Sequence, residues 1–246
     1  MAEKISVIII TYNEEKNIQR CLESVKWADE IVVVDGFSDD CTQEICRKFT
    51  DRVFQAKWSG FGQQKNLCAE KSSYKWILNI DSDEVISNEL ASEVRNLLHK
   101  GPEFPLYKIP RKNYFGSRWI QHGGWYPDYI ARLYDKTKVA FSENIVHEGL
   151  IPDNIYGLLK YPIIHYSYQG MADYVERQNH YSSLSAKQKI ANRVKATWLD
   201  LFFKPIMTFL KIYFLKQGFR EGFLGFFLAI SASYYTFLKY AKTRKI

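Results

Sequence analysis

Ile5–Ile10 reads ISVIII, a nearly continuous apolar run. A strand apolar at successive positions suits a parallel sheet covered on both faces. It runs into Thr11-Tyr12-Asn13-Glu14, after which Ile18, Cys21, Leu22 and Val25 recur at helical spacing. The pattern then repeats. Ile31–Val34 predicts a strand ending at Asp35, Ile45, Cys46 and Phe49 a helix, and Val53–Phe54 a short strand. Phe61–Lys71 predicts a helix and Trp76–Ile80 a strand ending at Asp81. Ser87 is placed to cap a helix that buries Leu90, Val94, Leu97 and Leu98. Strands alternating with helices predict an α/β fold, a Rossmann-like, mostly parallel sheet with helices on both faces. Polar clusters follow three strand ends, at Thr11, Asp35 and Asp81, and that edge is where open α/β sheets bind ligands.

From about Gly101 the pattern loosens into a Pro- and Gly-punctuated stretch dense in Tyr, Trp and Arg, with short strands expected at Leu106–Ile109 and Ile130–Tyr134. From Met171 onward it is helical. Arg193, Asp200, Lys204 and Lys211 fall in one narrow arc of a helical wheel, so one helix is expected there, kinked or restarted at Pro205. Gly222–Leu238 follows as 17 uncharged residues rich in Phe and Tyr. A helix of that length spans about 25 Å, short of the roughly 30 Å hydrocarbon core of a bilayer.

Composition sharpens this division. The 246 residues are 46% hydrophobic and 25% charged, an ordinary globular balance. A net charge of +7 with 16% aromatics invites a nucleic-acid binder, a membrane-surface protein or an enzyme for anionic substrates. Residues 171–246 hold 13 Lys/Arg against 4 Asp/Glu, a net of +9, leaving −2 on residues 1–170. They also hold 16 of the aromatic residues, interleaved with the cations in long apolar runs. That disfavours nucleic acid and favours a monotopic helical segment on anionic lipid; a helical pair packed on the rest of the chain is the plainer alternative. Cys21, Cys41, Cys46 and Cys68 form no C-x-x-C pair, and Ala2-Glu3-Lys4 leads straight into a strand pattern. Reduced, mostly structural thiols in a cytosolic protein are expected.

Asp81-Ser82-Asp83 at a strand end is the strongest chemical signal. Two carboxylates one residue apart supply hard oxygens for a divalent cation, and a diphosphate can complete its shell. Asp35-Gly36-Phe37-Ser38-Asp39-Asp40-Cys41-Thr42 places an acid at another strand end, with Asp40 or Thr42 available for helix capping. Lys65, in Gln63-Gln64-Lys65-Asn66, is placed to meet a phosphate or to sit as an ordinary exposed lysine. No P-loop and no G-x-G-x-x-G occurs.

In order, SVIIITYNEE, DGFSDDCT, GQQKN and NIDSDEV resemble glycosyltransferase family 2, of the GT-A nucleotide-diphospho-sugar transferase fold. RKNYFGSRWIQHGGWYPDYIARLY, NIVHEGL, PIIHYSY and the closing FLKYAK are similar to its lipopolysaccharide-core β-glucosyltransferase subgroup. The resemblance implies a GT-A catalytic domain over residues 1–170 and a membrane-associating helical segment over 171–246. It implies a uridine pocket lined by Thr11, Tyr12, Asn13 and Glu14, with Asp35 on uracil or ribose and Lys65 near the donor phosphates. Asp81 would bind ribose or metal, and Asp83 would hold Mg²⁺ or Mn²⁺, with His165 completing the shell. Arg132 and His147 are expected near the phosphates or behind the metal ligands. Glu148 is the first candidate for the base of an inverting displacement, Asp128 the second and Glu143 the third. Trp119, Trp125 and Tyr126 suit sugar stacking or core packing equally. One departure stands out: Phe37 occupies a turn position where the family usually has glycine.

The expected reaction is hexose transfer, glucose from UDP-glucose, to a lipopolysaccharide inner-core heptose or similar membrane glycolipid, at the cytoplasmic face of the inner membrane. A polyprenyl-phosphate or capsular acceptor is the alternative enzyme. A non-catalytic nucleotide-sugar-binding protein is the alternative of another class, disfavoured by the presence of both Asp81 and Asp83 and of a candidate base.

Overall fold

The computed structural model describes residues 3–142 and 149–244. They fall into two compact units, Met1–Arg111 with Tyr129–His165, and Lys112–Asp128 with Tyr166–Ile246. The stretch 112–128, grouped by sequence with the catalytic part, thus clusters with the C-terminal helices.

The first unit opens β1 (Ile5–Thr11), α1 (Ile18–Ser24), β2 (Glu30–Asp35), α2 (Thr42–Arg47), β3 (Val53–Gln55), α3 (Phe61–Lys71) and β4 (Trp76–Asp81). It continues through β5 (Glu84–Ile86), α4 (Asn88–Lys100) and β6 (Leu106–Phe115). β7 (Arg118–Trp119), in the stretch that clusters with the second unit, and β8 (Asp128–Asp135) follow, then the short β9 (Ala140–Phe141), β10 (Leu150–Ile151) and β11 (Gly157–Leu158), and finally β12 (Ile163–Tyr168). The main sheet runs β3-β2-β1-β4-β8-β6-β12-β5. β3, β2, β1 and β4 are parallel; β8 joins β4 antiparallel and β12 joins β5 antiparallel.

The unbroken apolar run of β1 is explained by cover on both faces. Val7 and Ile9 join Leu22, Val33, Leu78, Leu90 and Val94 on one side. Ile8 and Ile10 join Val32, Val34, Cys68, Ile77 and Tyr134 on the other. Ser87 caps α4 as expected, its Oγ accepting from the Leu90 N–H at 3.2 Å. Cys21, Cys46 and Cys68 are buried, and burial pushes the Cys46 and Cys68 thiols up to about 12. β6 and β8 exceed the short strands expected. Pro110 lies inside β6 because its fixed φ suits a strand although it gives no N–H to the ladder.

The second unit contains α5 (Met171–Ala191), α6 (Trp198–Leu210), a π-helical turn (Lys211–Leu215), a 3-10 turn (Gly218–Glu221) and α7 (Gly222–Ala241). Its core joins Phe115 and Ile120 to Tyr174 and Leu228. The single helix expected through Arg193 is corrected. Arg193 takes φ 56° and Thr197 starts a new helix, its hydroxyl accepting from the Asp200 N–H at 3.2 Å in a capping box. Pro205 lies within α6, and its carbonyl accepts from the Ser233 hydroxyl of α7 at 2.8 Å.

The outer faces of these helices are apolar. Phe203, Leu215 and Phe223 are 61%, 78% and 73% exposed, and Trp198, Leu199, Phe202, Ile206 and Met207 are exposed with them. Among the described residues no helix is long and apolar enough to cross a membrane.

Candidate active site

The first-unit site is built on the C-terminal ends of β1, β2 and β4. The turns after β1 and β2 are laced together. Asn13 N–H donates to Ser38 Oγ at 2.9 Å, Asp39 N–H to Asn13 Oδ1 at 3.0 Å, and Glu14 N–H to Thr42 Oγ1 at 2.8 Å. Asp35 is buried, and its carboxylate accepts from the Ser38 N–H at 2.9 Å and the Ser38 hydroxyl at 2.5 Å. It thus braces its own turn; the resemblance places the same carboxylate on uracil or ribose. Asp40 accepts from the Thr42 N–H at 3.0 Å, the capping role expected of it. Asn13 and Phe37 have φ of 53° and 66°, so the turn keeps the left-handed geometry that glycine would favour despite the phenyl side chain. Tyr12 and Phe37 are both exposed, on two turns joined by the Gly36 N–H to Thr11 carbonyl bond of 2.8 Å. Thr11 is buried, and its hydroxyl has no partner among the described residues.

At the end of β4 two carboxylates, Asp81 and Glu84, meet three permanent cations. Arg132 Nη2 lies 2.5 Å from Asp81 Oδ2 and 2.8 Å from Glu84 Oε1. Lys65 Nζ lies 3.3 Å from Asp81 Oδ1, and Arg111 Nη1 lies 3.5 Å from Glu84 Oε1. Glu84 is fully buried, and its Oε2 accepts from the Asp81 N–H at 2.9 Å, which shapes the turn. Desolvation pushes the Asp81 carboxyl up, but Arg132 and Lys65 outweigh it and hold it well below the usual carboxylate range. Asp83 stands apart, with its Oδ2 3.3 Å from His165 Nε2. β12 delivers His165 opposite Glu84 of β5.

These positions divide the expected roles. Lys65 is no exposed lysine: it is 4% exposed and faces Asp81. Arg132 is likewise buried against Asp81 and Glu84. Both Asp81 oxygens are engaged by cations, whereas Asp83 and His165, also expected at the metal, face each other. A divalent cation fits that pair. Ligands at right angles around an octahedral ion stand about 3 Å apart, and Mg²⁺ sites commonly use one or two protein groups plus substrate phosphates. Among the described residues no three His, Cys, Asp or Glu side chains converge as a metal-ligand group.

In the second unit Asn113 Nδ2 donates to Asp128 Oδ2 and to the Trp125 carbonyl, each at 3.2 Å. Trp119 meets Tyr126 edge-on at 5.3 Å and carries the Lys112 ammonium 4.5 Å above its ring. Trp125 packs toward Tyr168 and Tyr174. Glu143, His147 and Glu148 lie outside the described residues. Sequence reasoning assigned no role to Glu84, Arg111 or Glu221. Glu84, three residues after Asp81, lies inside the NIDSDEV stretch. Glu221 had one local signal, an acid between two glycines in a basic segment.

The chain matches the family model described as Glycosyl transferase family 2 over residues 6–154. It is 29% identical over 250 residues to the lipopolysaccharide core biosynthesis glycosyltransferase LpsC of Rhizobium meliloti, covering 97% of this chain and 91% of that protein. It is 32% identical over 259 residues to an uncharacterized glycosyltransferase of Rickettsia typhi, covering 99% and 88%. Among solved structures, TarS 1–349 of S. aureus superposes with a TM-score of 0.51 at 20% identity, covering 98% of this chain and 88% of that one. Its complex with UDP-GlcNAc gives 0.52 at 18% identity, covering 92% and 79%. The expected GT-A fold is thereby borne out. From the ordered turns of the site, the family model and the full-length relatives together, the chain belongs to glycosyl transferase family 2.

Proposed function

We propose that the protein transfers a hexose, glucose by the sequence resemblance, from a UDP-sugar to a heptose of the lipopolysaccharide inner core. The observation that carries the donor side is the ion-paired cluster at the end of β4, with Asp83 and His165 beside it. The printed name of LpsC supports the acceptor class. The exposed aromatic faces and the +9 charge of residues 171–246 support a peripheral position on anionic lipid, at the cytoplasmic face of the inner membrane.

Asp83 and His165 would hold the Mg²⁺ or Mn²⁺, and when bound the ion supplies neutralising charge to the departing diphosphate. Two carboxylates, Asp81 and Glu84, already face three cations, Lys65, Arg111 and Arg132, so this cluster has little negative charge to spare for a cation alone. The metal is therefore expected to bind together with the nucleotide. Arg132 and Lys65 keep Asp81 ionised and oriented as an acceptor for a ribose hydroxyl. Thr11 and Tyr12 offer a hydroxyl and an exposed ring to the uridine. A carboxylate, Glu148 or Asp128, takes the proton of the attacking hydroxyl, and one displacement inverts the anomeric centre.

The test is turnover across a panel of UDP-sugars with and without Mg²⁺ or Mn²⁺, together with Mn²⁺ titration in the presence and absence of UDP. UDP-glucose turnover that needs metal, with Mn²⁺ affinity raised at least tenfold by UDP, is the expected result. Equal Mn²⁺ affinity without UDP would defeat the charge argument. Between the two bases, Glu148→Gln and Asp128→Asn separate by which one loses transfer while keeping UDP binding.

A further inference from the structure

Of the four acidic residues in the C-terminal segment, Asp173, Glu176, Asp200 and Glu221, only Glu221 is buried. It ends the 3-10 turn directly ahead of α7. Its Oε1 accepts from the backbone N–H groups of Gln121 and His122, each at 3.0 Å, and from His122 Nδ1 at 2.7 Å. Its Oε2 accepts from Arg118 Nη2 at 2.9 Å. Burial pushes the carboxyl up, but these bonds from His122, Gln121 and Arg118 pull it below its ordinary value. An ionised carboxylate at that distance places the proton of His122 on Nδ1.

All four donors come from residues 118–122. The other end of the same loop is held by Asn113, which bonds the Trp125 carbonyl and Asp128 and accepts from Ser167 Oγ at 3.3 Å. Between the two clamps Gly123 and Gly124 adopt φ of 73° and 85°. The Gly123 N–H donates to the Lys216 carbonyl at 2.8 Å, and a Cβ at Gly124 would overlap the Lys216 side chain. A surface ion pair holds a loop weakly, whereas a buried carboxylate with four donors orders it.

We infer that Glu221 is a positioning residue for the acceptor half of the reaction, holding the Gln121–Asp128 loop, and with it Trp125 and Asp128, in one arrangement. The inference rests on the reading of Asp128 and its neighbouring aromatics as acceptor-side groups. It makes the C-terminal helices part of the chemistry, because the carboxylate that sets the loop belongs to them.

Three measurements on Glu221→Ala and Glu221→Gln test it. The first is kcat for transfer from UDP-glucose to lipopolysaccharide truncated at its inner-core heptoses. The second is UDP affinity by calorimetry, and the third is amide hydrogen exchange. Expected are a roughly 100-fold loss of kcat in Glu221→Ala, since small misplacements of reacting groups cost that much, and about tenfold in Glu221→Gln, which keeps one acceptor oxygen. UDP affinity stays within about twofold, because the donor residues lie in the other unit. Exchange at the Gln121 and His122 amides accelerates while that of β1 and β4 does not. Wild-type kcat in Glu221→Ala, or kcat and UDP affinity falling together, overturns the inference. Should Glu221→Ala fail to fold, Arg118→Met removes one donor and gives a milder loss of about threefold in kcat with UDP affinity kept. An enzyme inert toward every UDP-sugar would defeat the donor reading instead; unchanged exchange at Gln121 and His122 would then still count against Glu221.

Discussion

The two units use charge in opposite ways. In the first, Asp81 and Glu84 at one strand end are matched by Lys65, Arg111 and Arg132 within a few ångströms, and Asp83 faces His165 beside them. In the second, the cations outnumber the acids along helices whose outward faces are aromatic, and one acid is buried to fasten a loop. On the proposed reading, the matched cluster would take a ligand that brings its own cation and anion together, and the unmatched basic, aromatic surface would meet an extended anionic one. The difference teaches that the net charge of +7 describes neither unit.

The comparison is broken most easily at Asp83. If Asp83 holds the metal as proposed, Asp83→Ala removes that ligand without exposing a buried charge, so UDP-sugar turnover is expected to fall about 100- to 1,000-fold with little change in unfolding free energy. Retained turnover would separate the acidic cluster from catalysis.

Arg132→Met probes the cluster as structure. It leaves the buried Glu84 facing only Arg111, and loss of one partner of a buried pair costs about 3–5 kcal/mol, readable by urea unfolding. The effect has a sign in pH. A carboxyl held below its usual range, as Asp81 is, stabilises the fold above the unfolded carboxylate pKa of about 4. That contribution drains as pH falls further. The stability gap between wild type and Arg132→Met is therefore expected to narrow below about pH 4; a constant gap would assign the loss to packing.

On the other unit, Phe202→Ser with Phe203→Ser should weaken binding to phosphatidylglycerol-containing liposomes at least tenfold, measured by flotation, with unfolding shifted by less than about 1 kcal/mol. Truncating the helices is a poorer test, because it also removes the Glu221 contacts to residues 118–122. Thr197→Ala is the mildest change. Losing the α6 capping box costs about 1 kcal/mol and leaves turnover intact.

Much of the first unit was legible because its signals are local. The ISVIII run, the strand-end acids and the Ser87 cap each carry their reason within a few residues. Arg132 was harder. Nothing near it in sequence says that it turns toward Asp81, 51 residues earlier, rather than toward a ligand. Glu221 was harder still, with partners 99 to 103 residues away. The helix expected through Arg193 shows the reverse fault. Its wheel pattern was followed across Thr197-Trp198-Leu199-Asp200, whose capping signal marks a new start. The strand expected over Leu106–Ile109 runs on through Pro110 to Phe115, because proline removes only a hydrogen-bond donor there.

One packing detail reaches farther than its size suggests. A methyl group on Gly225 would collide with the Gly218 carbonyl and crowd the Glu221 side chain. Substituting alanine there pushes the 3-10 turn off α7, and Glu221 moves with it. A variant more than a hundred residues downstream of Gln121 would then behave as a loop mutant, low in transfer and normal in UDP binding. Screens for inactive variants should therefore recover position 225 alongside the site itself, although its side chain is a single hydrogen.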